Sequence, residues 1–470
     1  MLGHSGTTGG AVIRNATIDL VDGTKVVVPD SLDLITPYVL KEQGDWFEDE
    51  LPFLRRLLQP GDQMIDVGAN YGVYGLSMAR TVGPLGRVWA FEPASSTAKI
   101  LTASAGANAF THFVVDQRGL SSGPGRARLA LHANSEMNAI ARSAGPLDQF
   151  ESVQLTTLDA CMEEYGWRDI HVLKIDAEGE ESRILSGGQR FFAELSPLVL
   201  YEVKAGDSWH LELTELFARL GYRSYRLVPG LELLAPFGSD EPPDDYQLNL
   251  FACKADRADE LAAQGWLVRP GEADGDGPEL DGVVAEPRWS NVVSARPYVG
   301  ELGAAGWAES DPEMFEALAL HACSHDRSQL AAVRLAAIRR SLRLLIASCD
   351  AEPSPPRLST LARVAREYGS RSLAVQSLQL LFNAIDRDPG WHLHGPFLPA
   401  CERFDDIPTK GRPRDWMLAS ALEAFETQAS FSSYFTGAAA RHRLELIHRL
   451  GWASDEMACR LGLVRARFGG

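Results

Sequence analysis

The chain has 470 residues, 45% of them hydrophobic, with 45 Lys+Arg against 63 Asp+Glu and a formal charge of −18. At roughly 150 residues per domain this is two or three domains' worth of chain, long enough to bury a core without metal or disulfide staples. The acidic balance argues against a nucleic-acid partner, which needs a basic face for phosphates, and no run of about 18 apolar residues is present to span a membrane.

Residues 1–40 read as a strand-rich extension. Its opening stretch, MLGHSGTTGGAVIRN, lacks the charged and apolar regions of a signal peptide. The six cysteines, Cys161, Cys253, Cys323, Cys349, Cys401 and Cys459, form no C-x-x-C pair. That scatter fits reduced thiols and a cytoplasmic protein.

Residues 41–256 alternate strand-like and helix-like stretches. The apolar runs 64–67, 87–91, 113–115, 171–175 and 198–201 predict strands, and 72–82, 95–108, 178–187 and 208–219 predict helices. Such alternation implies crossover connections and a mostly parallel sheet covered on both faces, an α/β domain. Segment 122–156 breaks the rhythm and reads as an inserted strand pair.

Residues 257–310 read as an acidic linker region, centred on a Gly- and Pro-rich stretch, 269–287, with six acids and one Arg. Glu272, Asp274, Asp276 and Gly277 imitate the start of an EF-hand loop, but Val283 stands where the bidentate Glu belongs, so no calcium site is expected. Residues 311–470 lose the strand signal and predict an all-α module. In 326–349, Ala331, Leu335, Ile338, Leu342, Leu345 and Cys349 form one helical stripe. Further helices are expected at 357–368, 371–386, 413–429, 433–450 and 454–463. Arg327, Arg334, Arg339, Arg340 and Arg343 make a basic face, read as solvated, with an anionic sugar as the alternative occupant. Ser454–Leu463 imitates the first helix of a helix-turn-helix reader without the recognition helix that must follow.

The chemistry concentrates in the first half. In Met64–Gly75 a buried strand enters a turn at Gly68 and then a helix near Gly72. Small residues at Gly68, Ala69 and Gly72 would let a ligand approach the backbone, and the helix N-terminus favours an anion. Asn70 stands where a dinucleotide fingerprint requires its second Gly. Asp66, before the turn, suits a cationic amino group. S-adenosylmethionine offers both a carboxylate and an ammonium. Glu92, 24 residues beyond Gly68, can accept ribose hydroxyls, with Pro93 near the adenine and Gln117, after the third strand, as a further neighbour. Downstream, Leu173–Glu181 places Asp176, Glu178 and Glu181 at the carboxyl end of a strand, with Lys174 on the same side as Asp176. Glu202 ends the adjacent strand. These acids can raise one another's pKa, hold a polyol or bind a divalent cation; Glu181 also suits a helix start.

Together, DVGANYGVYG at 66–75, FEP at 91–93, TLD at 157–159, LKIDAEGEE at 173–181 and YEV at 201–203 resemble the FkbM-type methyltransferase family over roughly residues 40–252. The resemblance implies a Rossmann-like class I fold that uses S-adenosylmethionine to methylate hydroxyls of sugars or secondary metabolites. It assigns Asp66, Gly68, Asn70, Gly72 and Glu92 to the cofactor, and Asp176, Glu178 and Glu202 to the reacting end. Asp176 is the first candidate for general base, supported by Glu178 and Glu202, with His210 as a second candidate. No resident metal is expected, although a divalent cation at the acids stays open. An NAD-dependent oxidoreductase and a scaffold acting through the helical module are the alternatives. Those C-terminal helices are also the place for a second copy or a protein partner.

Overall fold

The structure, a computed structural model, describes residues 14–132, 134–140, 149–205, 208–238, 242–273, 280, 296–302, 311–387, 393 and 397–469. The EF-hand-like residues Asp274, Asp276 and Gly277 and most of the acidic stretch 269–287 lie outside them. The chain begins with a hairpin of β1 (Asn15–Asp19) and β2 (Lys25–Pro29), followed by α1 (Ile35–Gln43) and α2 (Glu50–Leu57). The central unit follows as β3 (Gln63–Val67), α3 (Val73–Val82), β4 (Arg87–Phe91), α4 (Ser95–Ala107) and β5 (Phe113–Asp116). An insertion, β6 (Arg118–Leu120), β7 (Gly125–Leu131), β8 (Ala139–Ile140) and β9 (Gln149–Thr156), forms its own sheet in the order β6-β9-β7-β8. Thus the expected strand pair is part of a four-stranded sheet.

The main sheet resumes with α5 (Leu158–Tyr165), β10 (Val172–Ile175), α6 (Glu181–Ser186), α7 (Gln189–Glu194) and β11 (Leu198–Glu202). After the two-residue strands β12 (Lys204–Ala205) and β13 (Ser208–Trp209) come α8 (Glu212–Arg219), β14 (Arg223–Val228), β15 (Leu233–Pro236), β16 (Asn249–Cys253) and α9 (Ala255–Ala263). Eight strands pair in the order β15-β14-β16-β11-β10-β3-β4-β5. Strands β3, β4, β5, β10 and β11 are parallel, and β16 runs against both β11 and β14. Alternate residues of β11 enter different cores: Leu198 and Leu200 pack with α2–α4, Val199 and Tyr201 with α5–α8. A two-sided core explains why these strands read as continuous apolar runs.

In the second half, α10 (Pro312–His325), α11 (Ala331–Ala351), α12 (Pro355–Tyr368), α13 (Arg371–Arg387), α14 (Pro413–Gln428), α15 (Arg441–Leu450) and α16 (Asp455–Phe468) stack each against the next. The α11 stripe is buried as expected, and it shares a core with Val228, Leu231, Leu233 and Ala235 of the β14–β15 hairpin. The helices thus cover the sheet edge, which would otherwise expose unpaired backbone groups. Helix α16 returns to α1, joining the end of the described chain to its beginning.

Several expectations change. Helix α6 starts at Glu181 rather than 178, because Glu178 and Gly179 take positive φ values of 49° and 92°. Residues 208–209 pair as a strand, so α8 starts later, at Glu212. The helix expected over 433–450 divides at Gly437, whose φ of 57° is left-handed, into a turn at Ser433–Thr436 and α15. Helix α16 runs unbroken through Gly462, where a helix-turn-helix motif would need its turn. The expected basic face divides: Arg343 and Arg327 are exposed, as a solvated face would be, whereas Arg334 is not. Arg334 is buried and donates to the Ser324 and Leu231 carbonyls at 2.9 Å, Arg339 donates to the Tyr368 hydroxyl, and Arg327 and Arg340 pair with Glu232 and Glu316. No helix among the described residues is long and apolar enough to cross a membrane.

Candidate active site

Chain order runs outward through β3, β4 and β5, then restarts on the other side of β3 with β10 and β11. That reversal opens a crevice at the carboxyl ends of β3 and β10, where open α/β sheets bind ligands. A cavity of about 270 Å³ lies there. It is lined by Asp66, Gly68, Ala69, Asn70, Glu92 and Pro93 from one side and by Asp176, Glu178 and Glu202 from the other.

The turn after β3 is shaped by crowding. A Cβ on Gly68 would sit 1.7 Å from the Asp176 carbonyl oxygen, and its φ is 76°, so β10 itself demands this glycine. Gly72, expected to face the ligand, does not line the cavity; a Cβ there would strike the Leu101 and Leu76 side chains at 2.3 and 2.8 Å. Its smallness serves packing between α3 and α4.

Asp66 is fully buried. Its Oδ2 accepts the Gly75 N–H at 2.9 Å, while Oδ1 has no partner among the described residues. Burial raises its pKa, and the Lys174 ammonium opposes that shift. Glu92 ends β4 and is held from both sides: Asn70 N–H donates to Oε2 at 3.0 Å and Ala94 N–H to Oε1 at 2.9 Å. Burial pushes its carboxyl up to about 7 against the pull of those two donors. Asn70 reaches its left-handed φ of 48° with its side-chain oxygen bonded by the Ser135 hydroxyl at 2.7 Å. The insertion thereby reaches the turn, and Ser135, Glu136, Asn138 and Ile140 join the lining.

At the other end, Lys174 is buried and donates to Asp176 Oδ2 at 2.8 Å, with its ammonium 5.1 Å from the centre of the Tyr74 ring. Burial alone would lower the ammonium's pKa, but Asp176 and Asp66 beside it raise it. Glu178 stands in the left-handed turn beside them, its carboxyl pushed up to about 7 by burial and then by Asp176. Glu202 is pushed to about 9 by burial, then by Asp176 and Glu178. Among the described residues none donates a hydrogen bond to the Glu178 or Glu202 carboxyl, whereas Glu181 accepts the Ala177 N–H at 2.9 Å and the Gly179 N–H at 3.3 Å and closes the turn. Glu48, hydrogen-bonded by the Tyr74 hydroxyl, completes the acidic end.

Two expected residues lie elsewhere. Gln117 is exposed and outside the lining; its neighbours Arg118, Gly119 and Leu120 take that place. His210 is also outside, pairing with Glu212 at 3.2 Å with its side chain 43% exposed. Sequence reasoning passed over Trp46, Phe47, Glu48 and Phe435, which enter the lining from a loop before α2 and from the helical half. Tyr71, Val73 and Tyr74, also in the lining, lie inside the motif at 66–75 and so carried a local signal.

Among the described residues, no three acids of the cavity bring ligand atoms within 4.8 Å of one another. Among the described residues, the three-ligand group is His321, His325 and Glu367 in the helical module. There His321 Nε2 lies 2.6 Å from Glu367 Oε2, and Arg363 holds the other carboxylate oxygen. Two ligands on one zinc ion, each about 2.0–2.1 Å from it, lie farther apart than that. The group is a hydrogen-bonded cluster in which Glu367 pairs with Arg363.

The sheet order with its reversed β16, and the cavity at the switch point, define a Rossmann-like class I methyltransferase fold followed by a helical region. Residues 66–224 match the family model described as the Methyltransferase FkbM domain, so the chain carries a methyltransferase domain of FkbM type. Among solved structures, the methyltransferase FkbM of Methylobacillus flagellatus KT is 18% identical, over 43% of this chain and 47% of that one, with a TM-score of 0.30. This chain thus spans less than half the length of that protein. A SAM-dependent O-methyltransferase of Thermotoga maritima is 15% identical over 51% of this chain and 77% of that one (TM-score 0.27). Fibrillarin of Aeropyrum pernix, solved with S-adenosyl-L-methionine, is 12% identical over 50% and 92% (TM-score 0.27). No curated protein sequence matches the chain.

Proposed function

We propose that the chain is an S-adenosylmethionine-dependent O-methyltransferase acting on a hydroxyl of a saccharide or small metabolite. The observation that carries this reading is the division of one cavity into two acidic ends, one fixed by backbone donors and one without them. The residues present fit the cofactor: the unpartnered Oδ1 of buried Asp66 suits its ammonium, and Glu92, already oriented, suits its ribose hydroxyls. When bound, S-adenosylmethionine supplies a methyl group on a sulfonium, already electrophilic.

The protein's remaining task is to align an acceptor oxygen and take its proton. Asp176, the first candidate from sequence, already has Oδ2 engaged by the Lys174 ammonium at 2.8 Å. We assign that role to Glu178, whose carboxyl near 7 is matched to neutral pH. Glu202, protonated below about 9, donates a hydrogen bond to the acceptor. Asp176 and Lys174 orient the pair. With Glu202 uncharged and Glu178 about half ionised at neutral pH, this end favours a neutral polyol over a cation, and the charge of −18 opposes nucleic acid. Six free cysteines support the cytoplasm as its compartment.

The test is incubation with methyl-labelled S-adenosylmethionine and fractionated cell extract, with and without chelator. Label in a carbohydrate or small-metabolite fraction supports the reading, and loss of that label with chelator would add a divalent cation to the site. Label confined to RNA or protein would contradict the acceptor class.

A further inference from the structure

Phe435 belongs to the helical half by chain order, yet it lines the cavity together with Ile35, Thr36 and Phe47. Its ring is 52% exposed. One exposed aromatic ring means little alone; the distinguishing feature is how its segment is held. The Ser433 N–H donates to Glu42 Oε1 at 3.1 Å, the Ser433 hydroxyl donates to the same carboxylate, and the Tyr38 and Ser433 hydroxyls lie 2.9 Å apart. The Arg460 guanidinium approaches Glu42 to 3.5 Å, with both side chains almost fully buried. Tyr434 donates to the Asp33 carbonyl at 2.9 Å. On the other flank, the Phe431 ring packs 4.8 Å from Phe47, itself a cavity wall, beneath the Arg371 guanidinium.

Burying an ion pair such as Glu42–Arg460 carries a desolvation penalty that an apolar contact would avoid. Here the pair fixes the residue two positions before a ring that faces the cavity, and supporting shells of this kind are what hold a binding group in place. We infer that the helical module builds the acceptor wall of the methyltransferase cavity, and that Phe435 is the ring on which the apolar face of the acceptor lies. This rests on the methyl-transfer reading above. The cavity then offers carboxyls to the hydroxyls of an acceptor and an aromatic face to its carbon skeleton, and Phe435 is a specificity-determining residue.

The test uses the full chain with Phe435→Ala, Phe435→Tyr and, as a control on the same module, Leu380→Ala, whose side chain is exposed and outside the cavity. S-adenosylhomocysteine affinity is measured by calorimetry. Transfer of labelled methyl into the fractionated extract is measured at limiting and at saturating extract. Phe435→Ala should lower transfer at limiting extract about tenfold, as expected for losing the burial of one aromatic face, and much less at saturation. Phe435→Tyr and Leu380→Ala should stay near wild type, and S-adenosylhomocysteine affinity should hold within about twofold in all three. Unchanged transfer by Phe435→Ala would overturn the inference, as would a loss of S-adenosylhomocysteine affinity equal to the loss of transfer. A wild-type chain that binds S-adenosylhomocysteine but labels no fraction would refute the methyl-transfer reading itself, and the inference with it.

Discussion

Glu92 and Glu178 are the same residue type in one cavity, both with carboxyls near 7, yet they are built for different work. Glu92 receives a backbone N–H on each oxygen, so its orientation is set before any ligand arrives. Glu178 has a carboxylate neighbour instead of such donors, and sits in a turn with positive φ. A raised pKa therefore identifies a buried acid without saying what it does. The hydrogen bonds around it separate a fixed acceptor of hydroxyls from a group that exchanges a proton.

Substitutions can break that contrast, and the largest effect is expected at Glu178. Glu178→Gln should lower turnover by about 10²–10⁴, the range of a lost general base, with cofactor affinity nearly intact. Single-turnover rates with labelled cofactor measure it. Next is Glu92→Ala, which should weaken S-adenosylmethionine binding about 10- to 100-fold, the worth of charge-assisted hydrogen bonds, and leave turnover at saturating cofactor nearly unchanged.

A smaller effect sharpens the comparison. Wild-type turnover should rise with pH through about 7 as Glu178 loses its proton. Asp176→Asn removes a charge that raises Glu178, so the midpoint of the pH–rate profile should move to lower pH. An unmoved midpoint would remove Glu178 as the titrating group.

The smallest effect is on stability. Glu202 keeps a proton in the folded chain that an unfolded carboxyl releases near pH 4.3, so stability from this group is lost as pH rises from there towards about 9. Glu202→Gln should abolish that decline and leave the variant more stable than wild type at pH 8 by ~1.4 kcal/mol or more, one pKa unit's worth. Urea unfolding at pH 5 and pH 8 reads the difference.

Much of this was legible in the sequence. The alternation of apolar runs with helical stretches gave the parallel strands, because strands buried on both faces must be apolar throughout. Asp66, Glu92, Asp176, Glu178 and Glu202 reach the cavity because each ends a parallel strand or follows one, and strand ends converge on one edge. Residues placed by tertiary packing were not legible. Phe435 arrives from the far end of the chain, and Glu48 from a loop with no motif. Gln117 and Arg118 are adjacent, and nothing in sequence told which would face inward. Gly72 read as a ligand contact because packing and ligand approach ask for the same missing side chain. Arg334 read as solvated because spacing cannot show that two backbone carbonyls await it.

The account's central claim is that one cavity binds the cofactor at its Glu92 end and performs chemistry at its Glu178 end. Calorimetric titration of the wild-type, Glu92→Ala and Glu178→Gln chains with S-adenosylmethionine tests it most directly. The expected result is one equivalent bound by wild type and by Glu178→Gln with similar affinity, and much weaker binding by Glu92→Ala. No binding by wild type, or equal weakening by both substitutions, would contradict it.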